Sequence, residues 1–517
     1  MFKKSSTNKQ LNMFSSPSNL MCKRESQQYD APNAWHNKFY REVTSKVDES
    51  IFKPLYTEGN ASNRDGRPNA PARILYAMSI LKEGCGCSDE QLYENCRFNL
   101  LFRKALGLVT LDEQCPSLDT YYGFRRAICK YEEDHGVNLF EKCFKQVAGA
   151  QAAEYGISGK SIRMDSKLIS SNIAWYSRYE LIQKTYCKEV TEDEIKAIAD
   201  QSMREQALEF YTEDSAKTIY HNDSETMHKR LLRLGIVIDF ILMQSKKGEK
   251  PLLRRVFDEQ YEKDEESTVT VRDKRKISAK SVQNPNDPEA DYRGKGGQKV
   301  KGYTTNITET CDEENKPNLI TDVAVKPAST ADNSFVEDAV KGSAEVTGHK
   351  VETVHADGAY QSEANRELAK DETNGFSFIA NGIQGKPSRF DLNRKDEQTL
   401  EVVDKKTGEV IIATPVKPGT WKIPITNDDG KATWRYFDEK QIAKSVARRE
   451  VEAIPFEERK KRNNIEATIF QYCFHTRNNK TRYRGLLKHK IQAVARCLWI
   501  NVRRLLLFDE QIALQMA

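Results

Sequence analysis

The sequence predicts an α/β protein in which a mixed β-sheet is flanked by helices, with a helical amino-terminal domain, a helical insertion and a β-rich insertion. Three observations carry this prediction. Apolar residues from about 46 to 150 recur at helical spacing. Two alternating runs, Val300 to Thr308 and Leu319 to Val325, flank a polar turn from Asp312 to Lys316, the pattern of a hairpin. Helix (331 to 347), strand (351 to 356), helix (362 to 371) and strand (Phe376 to Ala380) then alternate, which after a hairpin implies a mixed sheet covered by helices.

Each segment has its local reason. Residues 1–45, rich in Ser, Asn, Gln and Lys, predict a flexible arm. In the helical domain, 46–150, Pro71 opens a helix whose Ile74, Met78 and Leu81 share a face, and Gly84 fits its stop. Ser88 to Gln91 is a capping box, and Ser117 caps a helix bearing Arg125, Arg126 and Lys130. Short helices ending in a basic one suit either a helix-turn-helix DNA reader or a packing domain. The body, 155–505, is interrupted twice. Residues 175–285 are charged and helical, with a capping box at Thr191 and Glu194 and an apolar stretch from Leu231 to Met243. Residues 391–450 hold short alternating runs and form the β-rich insertion, and 506–517 is a tail.

Composition narrows the class. A chain of 517 residues supports two to four domains, and its 38% hydrophobic and 30% charged residues describe a polar, soluble protein. It has no run of eighteen apolar residues, and its basic start lacks the apolar core of a secretory signal, so membrane residence is not expected. Eleven irregularly spaced cysteines fit a reducing compartment. Cys85, Cys87 and Cys96 lack zinc-finger spacing, and 391–450 contains no Cys, so no zinc is expected. Net charge is only +5, yet from Arg459 to Arg504 thirteen Lys or Arg residues surround one acid, Glu466. Such density suits a polyphosphate partner.

That lone acid is one of three candidates for a shared site. Asp165 lies in the strand-like run Ser161 to Lys167, Asp357 ends the β-branched run from Val351 where Gly358 stops it, and Glu466 sits in a helical stretch. Two strand-end aspartates and a helical glutamate offer the oxygen donors that magnesium prefers. Two such ions can activate water and stabilise a leaving oxygen in phosphodiester cleavage. Asp322, also on a strand, is the competing carboxylate, although its position fits a hairpin edge. Tyr360 and His355 flank the site as DNA contacts or as packed side chains; Trp175 reads more simply as a core residue than as a wedge at a DNA end.

These motifs resemble DDE transposases of bacterial insertion sequences. Arg163-Met164-Asp165-Ser166-Lys167 is similar to the family's first-aspartate segment, and His355-Ala356-Asp357-Gly358-Ala359-Tyr360 to its second. Arg462 through Glu466 to Arg482-Tyr483-Arg484-Gly485-Leu486 resembles its glutamate helix and basic tail, and Gly66-Arg67-Pro68 with the following helices its amino-terminal domain. The resemblance spans most of 50 to 505. It implies a ribonuclease-H-like catalytic domain, with Asp165, Asp357 and Glu466 as catalytic residues holding two Mg²⁺ ions that Mn²⁺ can replace. It implies DNA contacts from Arg462, Arg477, Lys480, Arg482 and Arg484, and from Arg125 and Arg126 in the amino-terminal helices. The implied partners are double-stranded DNA, as terminal inverted repeats and target, and a second copy in a homodimer on DNA. The implied place is the bacterial cytoplasm, at the nucleoid. One departure stands out: where relatives carry Tyr and Lys around the glutamate, this chain has Arg459 and Cys473. Two other readings stay open, a metal-dependent nuclease of the same fold without strand transfer and an inactive DNA-binding repressor.

Overall fold

Strand Ser161–Ser170 (β1) is the axis of the molecule. In the computed structural model, which describes residues 2–4, 16–57, 68–246, 248–371, 373, 375–382, 388–396, 398–426 and 432–516, β1 lies at the middle of a six-stranded sheet. Along the chain follow a two-stranded hairpin, β2 (Tyr261–Lys263) and β3 (Val269–Val271), then β4 (Asp291–Lys295), β5 (Gln298–Thr310), β6 (Ile320–Pro327), β7 (Thr353–Ala356) and β8 (Ser377–Ala380). The main sheet runs β4-β5-β1-β7-β8, with β6 also paired to β5. The β1–β5 and β5–β6 pairs are antiparallel, β1–β7 and β7–β8 parallel, so the sheet is mixed as the alternation predicted. Gly66 and Arg67 lie outside the described residues.

Two apolar layers close the sheet. On one side Ile162, Met164 and Val354 pack with Phe335, Val336 and Ala339 at the start of the Val336–Thr347 helix. On the other, Ile307, Ile320 and Val323 join a core shared with the helices Ala72–Cys85 and Leu139–Glu154 and with the carboxyl-terminal helix Leu486–Met516. The Ala72–Cys85 and Leu486–Met516 helices approach closely: a Cβ on Gly84 would lie 2.2 Å from Trp499 Cδ2. Each insertion has a core of its own. Helices Arg178–Glu189, Gln201–Thr212, Ser224–Gln244 and Pro251–Gln260 enclose one. Five antiparallel strands enclose the other: β9 (Phe390–Arg394), β10 (Leu400–Asp404), β11 (Val410–Lys417), β12 (Thr420–Thr426) and β13 (Ala432–Asp438).

The structure corrects several expectations. Residues 1–45 are not all a flexible arm: helices span Lys23–Asp30 and Trp35–Phe39, and Phe39 and Val43 are fully buried. Residues 5–15 of that stretch lie outside the described residues. The arm's polar composition hides Trp35 and Phe39, whose rings pack against Trp499 of the last helix. Residues 506–516 are not a tail but the end of Leu486–Met516, where Asp509 pairs with buried Lys38. The β-rich insertion ends its strands at Asp438, whose side chain caps a helix, Glu439–Ala453. Trp175, expected in the core, is 52% exposed, with Lys301 Nζ 5.1 Å from its ring centroid. Among the described residues no helix is long and apolar enough to cross a membrane.

Candidate active site

Strand alternation sends Arg163, Asp165 and Lys167 of β1 to one face, the face that meets the glutamate helix Ile465–Cys473 and the turn before it. Arg163 Nη1 donates to the Lys461 carbonyl at 3.2 Å. The parallel register sets Arg163 opposite His355 of β7. The pairing stops there, but continuing its direction by two residues brings Asp357, just past the end of β7, toward Asp165, whose carboxyl feels the Asp357 charge. Asp357 ends its strand by capping the short helix Gly358–Tyr360, its Oδ1 accepting the Ala359 N–H at 2.6 Å.

Arg462 ties in the third carboxylate. Its Nη2 donates to Asp165 Oδ2 at 2.6 Å and its Nη1 to Glu466 Oε1 at 3.1 Å. Arg462 is four residues before Glu466, one turn back on the same face. Asp165 is mostly covered, whereas Glu466 is exposed. Burial pushes the Asp165 carboxyl above its ordinary value; Arg462 and the Ser166 N–H hold it down, and the Asp357 charge pushes it up again. Asp165 and Glu466 thus share one guanidinium. Among the described residues no three His, Cys, Asp or Glu side chains are grouped to hold a metal ion as they stand.

A buried carboxylate fixes this arrangement. Glu309 of β5, opposite Arg163 in the antiparallel register, is fully buried. It accepts from Arg163 Nε at 2.6 Å, Arg504 Nη2 at 2.7 Å and Thr468 Oγ1 at 2.7 Å. Burial alone would raise its pKa, but Arg504 and Arg163 prevail and hold it low. Glu309 therefore joins the aspartate strand, the glutamate helix and the last helix in one network. Sequence reasoning passed over it, and also over Lys167, which lies near enough to Cys473 to favour that thiol's anion against burial.

The other predicted residues are distributed differently. Asp322 is remote from the site, buried where β6 meets the Leu139–Glu154 and Val336–Thr347 helices. Burial, with Glu141, pushes its pKa to about 7. Tyr360 is packed, its hydroxyl donating to Asn306 Oδ1 at 2.7 Å, and His355 is buried and pushed down to about 4 by desolvation. Arg477 and Arg126 are exposed. Arg482 is engaged within the chain, donating to the Cys87 and Gly86 carbonyls at 2.7 Å each. Arg484 Nε donates to the Asn172 carbonyl at 2.6 Å and Lys480 Nζ to that of Ile173 at 3.3 Å. Arg125 lies over the Tyr121 and Tyr483 rings. With Arg126, Lys130, Arg482 and Lys488 it lines an open cleft of about 1000 Å³ between the amino-terminal helices and the carboxyl-terminal segment.

The chain is thus a mixed α/β protein with one aspartate in the middle of β1, not at its end as the sequence suggested, a second just past the end of β7, a helical glutamate bound to the first through an arginine, and a basic carboxyl-terminal segment. Its residues 27–127 match the family model described as a transposase domain (DUF772). No curated protein matches the chain. Among solved structures it is similar, at 7% identity, to the piggyBac transposase in a synaptic complex with hairpin DNA. That match covers 94% of this chain and 76% of the other with a TM-score of 0.32, too loose to carry the fold.

Proposed function

We propose that the protein is a DNA transposase of the DDE type, cutting the ends of its element and joining the freed 3′-OH to target DNA. The observation that carries this is the chain of contacts from Asp165 through Arg462 to Glu466, with Asp357, one residue past the end of β7, close enough for its charge to act on Asp165. The transposase-domain match over residues 27–127 supports the reading independently of those carboxylates. The strand order, with β1 between an antiparallel and a parallel neighbour, is compatible with a ribonuclease-H-like sheet.

By donor chemistry three carboxylates suit magnesium, but they could gather around an ion only once Arg462 lets go of Asp165 and Glu466, the one ion-pair partner that either has among the described residues. Two divalent ions held by Asp165, Asp357 and Glu466, magnesium or manganese, supply water activation and neutralise charge at a leaving oxygen. The chain's own groups do the rest. Arg462, exchanged from the carboxylates, grips the scissile phosphate, and the Glu309 network keeps the glutamate helix against β1. Arg477 and the other exposed cations of 459–504 hold the backbone, so binding weakens as salt rises. Arg125 and Arg126 belong to the domain that meets the terminal repeats, and two copies act together on two ends.

Incubation of the protein with Mg²⁺ and a supercoiled plasmid bearing the element's ends tests this. Wild type is expected to nick, linearise and join; Asp165→Asn is expected to do none of these. Cleavage without joined products would leave a nuclease, and equal cutting by the variant would refute the reading.

A further inference from the structure

The glutamate helix carries an apolar feature that neither packing nor metal binding explains. Phe470 and Phe474 are 69% and 66% exposed, with ring centroids 6.4 Å apart. The helix had alternatives, since its Ile465, Thr468 and Tyr472 are buried on the opposite side. Phe470 follows Glu466 by four residues, so it lies on the same face about 6 Å further along the axis. The stripe from Arg462 through Glu466 to Phe470 thus runs cation, carboxylate, aromatic ring. Beyond it the sequence has no Asp or Glu from residue 467 to 508, the Lys167 charge reaches Cys473, and Arg477 is exposed.

Exposed rings on a segment that carries cations and no acids of its own fit a partner with both π-faces and phosphates. A base inside an intact duplex offers no free face, whereas an unpaired base does, and every base stacks on a ring. We propose that Phe470 and Phe474 form a stacking platform for an unpaired base beside the phosphate at the metal-binding carboxylates. This rests on the function proposed above and deepens it: the site takes DNA that is melted at its end, with Phe470 as the principal contact and Phe474, set nearly edge-on, backing it.

The test compares binding of wild type, Phe470→Leu and a Phe470→Ala, Phe474→Ala double variant to two fluorescent probes in Ca²⁺. One probe is a blunt duplex and the other the same duplex with a short unpaired extension of adenines. Both residues are exposed, so folding should survive, and circular dichroism with thermal melting checks it. Wild type is expected to prefer the extended probe. The double variant should lose ~5- to 150-fold on that probe alone, the worth of one stacked base, with the Leu variant losing nearly as much because it keeps area but no ring. Equal losses on both probes, or none, would overturn the platform while leaving the transposase reading intact. A dimer in the absence of DNA that the double variant dissociates would also overturn it, assigning the rings to a protein interface. Failure of wild type to bind either probe would overturn both proposals.

Discussion

Replacing Glu309 by glutamine should unseat the glutamate helix without touching any proposed metal ligand. The carboxylate is fully buried and serves three donors: Arg163, whose side chain is 10% exposed, Arg504, 18% exposed, and Thr468. Glutamine keeps the shape but removes the charge and points an N–H pair at one guanidinium. Two nearly buried cations then lose their counter-ion, which ordinarily costs about 3–5 kcal/mol. With a urea slope of roughly 3 kcal/mol per M for the unit containing the sheet, the midpoint should fall by about 1–1.7 M. The pH dependence has a definite sign. Because the folded-state pKa is depressed, the stabilisation is complete above the unfolded-state value and is lost as pH falls through the folded one. The gap between wild type and variant should therefore be wide at neutral pH and close in acid. Urea titration followed by tryptophan fluorescence at both pH values reads this. A midpoint unmoved at neutral pH, or a gap that widens in acid, would refute the reasoning.

Three further predictions probe other parts of the structure. Asp322 is buried, its Oδ2 lacks a hydrogen-bond partner among the described residues, and Glu141 and Asp338 oppose its charge while Lys145 and Lys326 favour it. Its raised pKa makes stability complete below the ordinary 3.8 and lost as pH rises through about 7, so Asp322→Asn should stabilise at pH 8, by at most on the order of 4 kcal/mol, and less at pH 5; equal melting shifts at both pH values would contradict it. Gly84→Ala should drive a methyl into Trp499 and cost about 1–3 kcal/mol, seen as a melting temperature several degrees lower; an unchanged value would show that the helices separate freely. Arg462→Ala should release Asp165 and Glu466 from their shared cation and tighten Mn²⁺ binding in the absence of DNA by roughly tenfold, measured calorimetrically, while weakening DNA binding; weaker Mn²⁺ binding would count against the exchange.

Local signals in the sequence carried much of the element order. Ser88 with Gln91 and Thr191 with Glu194 form reciprocal capping boxes, as the residues themselves announced. The hairpin of β5 and β6 lies where alternation placed it, since one-face burial leaves a period of two in the residues. What the sequence hid was long-range. Trp35 and Phe39 look like stray aromatics in a polar arm until Trp499, more than four hundred residues on, packs against them. Glu309 sits between two threonines like any strand-end acid, and its partners Arg163 and Arg504 are 146 and 195 residues away. The cations after Glu466 were legible as a charge cluster, but not that Arg482 and Arg484 spend their donors on main-chain carbonyls. A basic residue's partner is geometry, not composition. Trp175 shows the converse: a residue type that is usually buried lies over a lysine at the surface.

Manganese binding by wild type and by Asp165→Asn, Asp357→Asn and Glu466→Gln, followed by electron paramagnetic resonance in the presence of end-bearing DNA, addresses the carboxylate trio most directly. Wild type should take up two ions per chain at coupled positions, and each substitution should lose at least one of them along with strand cleavage. Full manganese occupancy in all three variants, with unchanged cleavage, would show that the acids brought near Arg462 are not the centre of the chemistry.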